Sequence, residues 1–475
     1  MKIKKYLLPL VILFQLAALL FSEKISTNEK DATVEPGKVR IRPDNGIILG
    51  NGAHFNFEKQ VISQGVQVNP IESQSFSTLK VTVPSDAETA QVEITPPLGR
   101  WNLRDGFEVR IKIKNIGKNY LKLKATLKSN RGPTDTIESF PIEPEKSEEI
   151  TIPFAPLKGW NGRENSVNAF ASNTCSSIQI STIQKNYEQS FVIESVKCHT
   201  PEPEIVPEWL GKKPPVDGDW SMTFEDNFNG TTIDSTKWNI KGANYWDKIS
   251  HFSKDNVTVG GGMAQLRFEK KTGPHNDEPD GKVTDYTTGY LDTYGKWTQK
   301  YGYFESRLKS PVGDGLFDAF WLMPDRGAEA GGQPKRQSTK NGGMEFDIFE
   351  HFTGWGPYRY NIALHRNGYE KDRISKGTDR IYGIPDKDGF ITAGLLWLPG
   401  LVVFYCNGKE IGRDESADVG NIQSDIMYDL VSGGWDNTPL NNSQLPLNLV
   451  IDYVRVWQRK DLRVPSNTQN SLSPK

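Results

Sequence analysis

Cysteine is scarce in this chain, with three in 475 residues, at positions 175, 198 and 406. So few thiols exclude a disulfide-dense scaffold, and their spacing matches no zinc site. Cys175 and Cys198 could pair in an exported module, and three unpaired, buried thiols are the equal alternative. Excess charge is missing as well. Lys and Arg number 57 against 59 Asp and Glu, a net charge of −2, so no basic surface points to a nucleic-acid partner. Hydrophobic residues at 36% and charged residues at 24% give an ordinary globular mixture and exclude a disordered chain. No repeat of solenoid length is visible. Long apolar runs are limited to Tyr6–Phe21, which follows Lys2, Lys4 and Lys5. A basic start and a short apolar run are the layout of a secretory signal, assigned here to residues 1–24. The run is short for a membrane span, which needs about 20 apolar residues, although an uncut N-terminal anchor is the other reading. A secreted, periplasmic or cell-surface protein is expected, monomeric and free of the membrane once the signal is cut.

What is present is mostly β-structure. In residues 30–200, "FEVRIKIKNIG" and "YLKLKATLKS" alternate apolar and basic residues, the period of half-buried strands. Turn signals such as Asp105-Gly106 separate the runs, and an antiparallel β-sandwich is expected. Its wet-face lysines either block edge pairing or meet an anionic polysaccharide. Tyr120, Trp101 and Trp160 are candidates for a binding platform, so this module is read as a possible carbohydrate-binding module, with a purely structural sandwich as the alternative. Residues 201–219 hold five prolines and read as a semi-rigid spacer. From 220 to 459 aromatic residues become dense and short β-runs alternate with Gly- and Asn-rich turns. Asn407-Gly408 is the strongest hairpin signal. A second, larger sandwich is expected there, then a loose tail at 460–475.

The chemistry is concentrated in "GGMEFDIFEHF". Glu345, Asp347 and Glu350 fall within six residues, interleaved with Phe346, Ile348 and Phe349. Such apolar company marks a buried strand, where carboxylates are costly unless they serve a purpose. In a regular strand Glu345 and Asp347 share a face and Glu350 points the other way. One extra residue in a β-bulge near Ile348–Phe349 returns Glu350 to their face. The outer pair then suits a retaining glycosidase, whose two carboxyls stand about 5–5.5 Å apart. Glu345 is the expected nucleophile, Glu350 the acid/base, and Asp347 the group between them that helps decide which acid keeps a proton. Cation ligands and a solvated acidic cluster are the competing readings.

Here the sequence resembles glycoside hydrolase family 16. E-x-D-x-x-E is similar to that family's catalytic signature. "FEDNFNGTTIDSTKWN", "GYLDTYGKWTQKYGYFESRLKSP", "FDAFWLMP" and "LVIDYVRVWQ" are similar to its successive strands. The resemblance covers roughly Trp220–Gln458. It implies an all-β fold: a concanavalin-like β-jelly-roll sandwich with an open catalytic cleft, preceded here by the smaller antiparallel sandwich. It also implies the roles already given to Glu345, Asp347 and Glu350. No cofactor is expected, and a structural Ca²⁺ is left open. Two positions depart from the family's laminarinases and lichenases, which usually carry Pro where Asp318 stands and Ile, Leu or Val where Phe346 stands. A long loop with Arg326, Lys335, Arg336 and Lys340 reads as a solvated insertion, with a cleft wall or a contact for sulfated sugar as the other readings.

Sugar clefts set aromatic faces against pyranose rings. Trp321, Trp355 and Trp435 are therefore candidate substrate-binding residues. Asn361 and His365 share strand parity and could face the same cleft. Trp397 reads as core, and His351 should point away. The expected function is that of a secreted retaining endo-β-glycanase acting on a polysaccharide, with 1,3- or mixed-linkage β-glucan as the first choice of substrate. Hydrolysis of an algal galactan (agar, porphyran, carrageenan) and transglycosylation are the enzymatic alternatives, and a lectin-like glycan-binding protein is the non-enzymatic one.

Overall fold

The computed structural model describes residues 39–72, 77–162, 168–183, 186–240, 249–275, 282–436 and 438–462. The expected signal segment, the first residues of the first sandwich and most of the expected tail lie outside the described residues. From Arg40 onward the chain forms one compact unit.

Period-two burial builds the first sandwich. In Glu108–Asn115, Val109, Ile111 and Ile113 point inward and are fully buried. This strand sits in a six-stranded sheet beside Gln189–His199 and Ser147–Pro153, and a seven-stranded sheet centred on Cys175–Thr182 faces it. The outward cations meet acids. Lys112 Nζ lies 3.3 Å from Glu194 and Lys114 Nζ 3.1 Å from Glu145, while Lys122 and Lys124 share Glu138. The reading that these lysines greet an anionic polysaccharide loses the free charges it needs. The aromatic platform also dissolves. Trp101 and Trp160 are buried, and of the three only Tyr120 faces solvent.

The second sandwich is a jelly roll of a ten-stranded and a six-stranded sheet. The larger sheet carries Gly302–Lys309 between Leu447–Arg459 and Ile391–Leu398. The smaller runs Tyr290–Asp292, Ser424–Ser432, Leu316–Pro324, Glu345–Phe352, Arg359–Arg366, Ile374–Tyr382. Phe304, Leu395, Val454, Phe320, Leu322, Phe346 and Trp397 fill the space between the sheets. Asn407-Gly408 forms the tight hairpin expected of it, with φ of 50° and 79°, the left-handed pair such a turn requires.

The two sandwiches do not hang on a tether. Trp160 inserts into the core of the larger one, 6.1 Å from the Phe404 ring, and its carbonyl accepts from the Arg413 amide at 2.9 Å. Phe107 meets Tyr358 and Tyr382 edge-on at 6.0 and 6.1 Å. The Pro-rich stretch is likewise not a free spacer. Glu204 Oε2 accepts from Asn407 Nδ2 at 2.7 Å, and a methyl at Gly408 would come within 2.7 Å of the Trp209 ring. Both observations have a consequence for stability. Trp160→Ala should destabilise the protein by about 3 kcal/mol, as large-to-small core changes do, and scanning calorimetry should show a single transition moving down rather than one of two transitions.

Cys175, Cys198 and Cys406 are all free thiols, and all are buried. The possible Cys175–Cys198 bridge is therefore corrected to unpaired core cysteines. Burial pushes the Cys198 and Cys406 thiols up to about 12. A thiol reagent should label none of the three in native protein and all three after denaturation.

Candidate active site

Glu345–Phe352 lies between Leu316–Pro324 and Arg359–Arg366. Its pairing runs Phe346 with Leu322 and Asp347 with Trp321, then jumps to Phe349 with Phe320 and Glu350 with Ala319. Ile348 is left over, which is the expected bulge. Phe346, Ile348 and Phe349 consequently all enter the core, with Phe346 4.6 Å from the Trp397 ring and Phe349 4.5 Å from Tyr360. Glu345, Asp347 and Glu350 all line one open pocket of about 300 Å³ on the other face. Without the extra residue, Phe349 would occupy that face and Glu350 would be driven into the hydrocarbon core.

The carboxylates share a crowded, poorly hydrated space. Burial raises Glu345 to about 8, with Asp347 adding to the effect. Burial also lifts Asp347 and Glu350 above the usual carboxylate range, and Asp347 reinforces the rise at Glu350. Like charges this close cannot all ionise. The donors around them choose where the charge settles. The Tyr369 hydroxyl donates to Glu345 and the Asn361 amide to Glu350. His365 Nε2 stands 3.2 Å from Asp347 Oδ2. His365 Nδ1 lies 2.7 Å from Ser375 Oγ and 3.1 Å from Arg373 Nη2. A guanidinium can only donate, so Nδ1 is the acceptor and the ring proton is assigned to Nε2, facing Asp347. Burial, the largest influence on His365, lowers its pKa and keeps the ring neutral.

The ligand atoms of Glu345, Asp347 and His365 lie within 4.8 Å of one another. Ca²⁺ takes about six to eight oxygens, so this mixed set of three does not fit the structural Ca²⁺ left open by the sequence.

The sequence profile of glycosyl hydrolases family 16 matches residues 246–455. This segment is a family 16 glycosyl hydrolase domain. The chain is 26% identical to the glucan endo-1,3-beta-glucosidase A1 of Niallia circulans over 50% of this chain and 38% of that protein. It is 25% identical to the endo-1,3-1,4-beta-glycanase EglC of Rhizobium meliloti (strain 1021), over 50% of this chain and 51% of that protein. It is also 26% identical to beta-porphyranase C of Zobellia galactanivorans, over 52% of this chain and 81% of that one. The chain thus spans about half or less of the length of the first two relatives.

Within the family 16 domain, alternation along Leu316–Pro324 sends Phe317, Ala319, Trp321 and Met323 to the pocket. Trp321 is held by a 3.0 Å bond from its Nε1 to Asp429 Oδ2. His365 and Asn361 reach the site, but both touch carboxylates: His365 stands beside Asp347 and Asn361 bonds Glu350. Trp355 is a correction. It is 1% exposed, with its Nε1 donating to Asp436 at 3.0 Å and the Arg359 guanidinium 4.1 Å above its ring. It belongs to the core because a partner for its one polar atom came with it. Trp435 is 57% exposed on its loop. Trp397 is core, and His351 turns away from the pocket to Asp318 at 3.0 Å.

Three residues in or beside the site, Asp429, Tyr369 and Arg373, are not among the sequence candidates. Asp429 is a carboxylate inside the apolar run "DIMYDLV", the same signal that exposed Glu345, and could have been found that way. Tyr369 and Arg373 sit on a connecting turn, and nothing in the order of residues says that the turn folds back over the strand that carries the three acids.

Proposed function

We propose that the chain is a secreted endo-β-glycanase that hydrolyses its polysaccharide by double displacement with net retention, as a monomer. The bulge at Ile348 is the observation that supports this most, since it gives the pocket two glutamates on one wall. In the first step a Glu345 oxygen attacks the anomeric carbon as the glycosidic C–O bond breaks, and Glu350 gives its proton to the leaving oxygen. In the second step Glu350, now a carboxylate, takes a proton from water. The water oxygen then displaces Glu345 from the anomeric carbon. Attack requires the charge of the coupled trio on Glu345, where the Tyr369 hydroxyl donates, and a proton on Glu350. The reaction so written needs only carboxylates and water.

A 1,3- or mixed-linkage β-glucan is the preferred substrate. The names of two relatives point that way, and features that argued for a sulfated galactan lose force on inspection. Asp318 lies on the core side, bonding Ser310 at 2.6 Å, and Phe346 packs on Trp397, so neither departure touches the cleft. Three of the basic loop's four cations are held by the loop itself or its neighbours, and Lys335 is exposed. Arg326 donates to the Ser338 carbonyl at 3.2 Å, Arg336 pairs with Asp325, and Lys340 lies 2.9 Å from Glu370. Reducing-sugar release from laminarin, lichenan, agarose, porphyran and carrageenan tests the reading. Release from laminarin or lichenan is expected. Release from porphyran or agarose alone would move the substrate to galactans. Longer products would indicate transglycosylation, and binding with no release would indicate a lectin.

A further inference from the structure

We infer that the first sandwich builds part of the substrate cleft, with Arg131 holding Trp435 in place as a platform for a pyranose ring some distance from the cleaved bond. The inference rests on the glycanase reading above, and it changes the role of the N-terminal module from a possible separate binder to a wall of the site.

A line of aromatic rings leads out of the pocket. Phe317 lines it and stacks on Phe352 at 4.6 Å and 16°. Phe352 meets Trp435 edge-on at 4.9 Å. Trp435 is 57% exposed, so a broad apolar face is left to the solvent beside a polysaccharide cleft, where an indole can stack on the C–H face of a sugar. Its loop is tightly constrained. Gly433 and Gly434 have φ of 94° and 92°, and a methyl at Gly434 would approach Phe352 to 2.3 Å.

What fixes the outer side of Trp435 comes from the other sandwich. Arg131 sits on the turn after Leu123–Ser129, where Ser129 and Gly132 bond across the turn at 2.9 Å and Ser129 Oγ accepts from the Ala171 amide at 3.0 Å. From this anchored turn the Arg131 guanidinium lies 5.9 Å from the Trp435 ring centre, pairs with Asp379, and reaches Asp436 at 3.3 Å. The circuit closes on itself. Asp379 also accepts from Arg359 at 2.5 Å, Arg359 lies over Trp355, and Trp355 Nε1 donates to Asp436. Asp436 is therefore held from two sides, and Trp435 beside it is bounded by Arg131, Trp355 and Phe352. Removing Arg131 leaves the inner contacts of Trp435 in place and frees its outer side. Arg131 is thus a positioning residue.

The test uses the full chain with Arg131→Ala, Trp435→Ala and the double variant, on a long glucan and on a short activated aryl glycoside confined to the pocket. Each single change should raise KM on the long substrate about five- to tenfold, the range of one aromatic stacking contact. It should leave kcat and the short substrate unchanged. The double variant should be no worse than Trp435→Ala alone. Arg131→Lys should fall between, because a point charge lacks the planar fork. Thermal melts identify variants that have lost the fold. A normal KM in folded Arg131→Ala beside a raised KM in Trp435→Ala would overturn the role of the first sandwich. A normal KM in Trp435→Ala would remove the platform itself. Turnover of the long glucan by the unaltered protein, run alongside, separates these results from a failure of the glycanase reading, because only that failure leaves the parent without turnover.

Discussion

Glu345→Ala should lower kcat by about a thousandfold or more while leaving the fold unchanged. Glu345 is half-buried at the pocket wall and supports no strand pairing through its side chain, so its loss removes chemistry rather than structure. The attacking oxygen is gone, and neither neighbour can replace it. Asp347 is one carbon shorter, more deeply buried, and faces His365. Glu350 already serves as the acid in the proposed mechanism. The change also separates the readings. A lectin-like protein would keep its ligand affinity and have no turnover to lose, whereas a glycanase keeps affinity and loses turnover. The paired measurement is initial rate together with binding of the same polysaccharide by calorimetry.

Glu350→Gln should cost about 10²- to 10⁴-fold on an ordinary glycan, the usual contribution of a general acid or base. The loss should be much smaller in the first step with an aryl glycoside, whose leaving oxygen needs no proton. The glycosyl-enzyme should then accumulate, because the second step still lacks its base. Added azide, which attacks without surrendering a proton, should restore turnover. The same variant should alter stability. Glu350 has its folded pKa raised above the unfolded value, so the folded state binds the extra proton at pH above the ordinary glutamate range, and stability falls as pH rises through that window. Glutamine never ionises. Glu350→Gln should therefore melt about 2 °C or more higher than the parent at pH 8, and the difference should shrink toward pH 4.

The acid-bearing strand Glu345–Phe352 was legible because burial and charge contradict each other within it. Three acids among Phe346, Ile348 and Phe349 fit one strand only if an extra residue is inserted, and the register jump at Ile348 supplies it. Strand alternation was legible in Glu108–Asn115 from its period-two pattern, where Val109, Ile111 and Ile113 point inward between charged residues. The tryptophans were harder. Trp321, Trp355 and Trp435 look alike in sequence, and their different fates are set by what lies opposite. Asp429 accepts from Trp321 at the pocket, while Asp436 and Arg359 enclose Trp355. Long-range pairing of this kind leaves no local pattern. The docking of the first sandwich was hidden likewise. A Pro-rich stretch reads as a spacer, and only the contacts of Glu204, Trp209 and Trp160 show it lying against the larger sandwich. Asp318 and Phe346 mislead in the opposite sense, since unusual residues near a motif look like specificity until the strand's alternation turns them toward the core.

Both glutamates act on the same sugar only if Ile348 is the residue that bulges, and the stereochemistry of the product reports this directly. Proton NMR of the first-formed reducing end, recorded before mutarotation, should show the β anomer. An α anomer as the first product would mean that water attacks in a single displacement, and that Glu345 never bonds to the substrate.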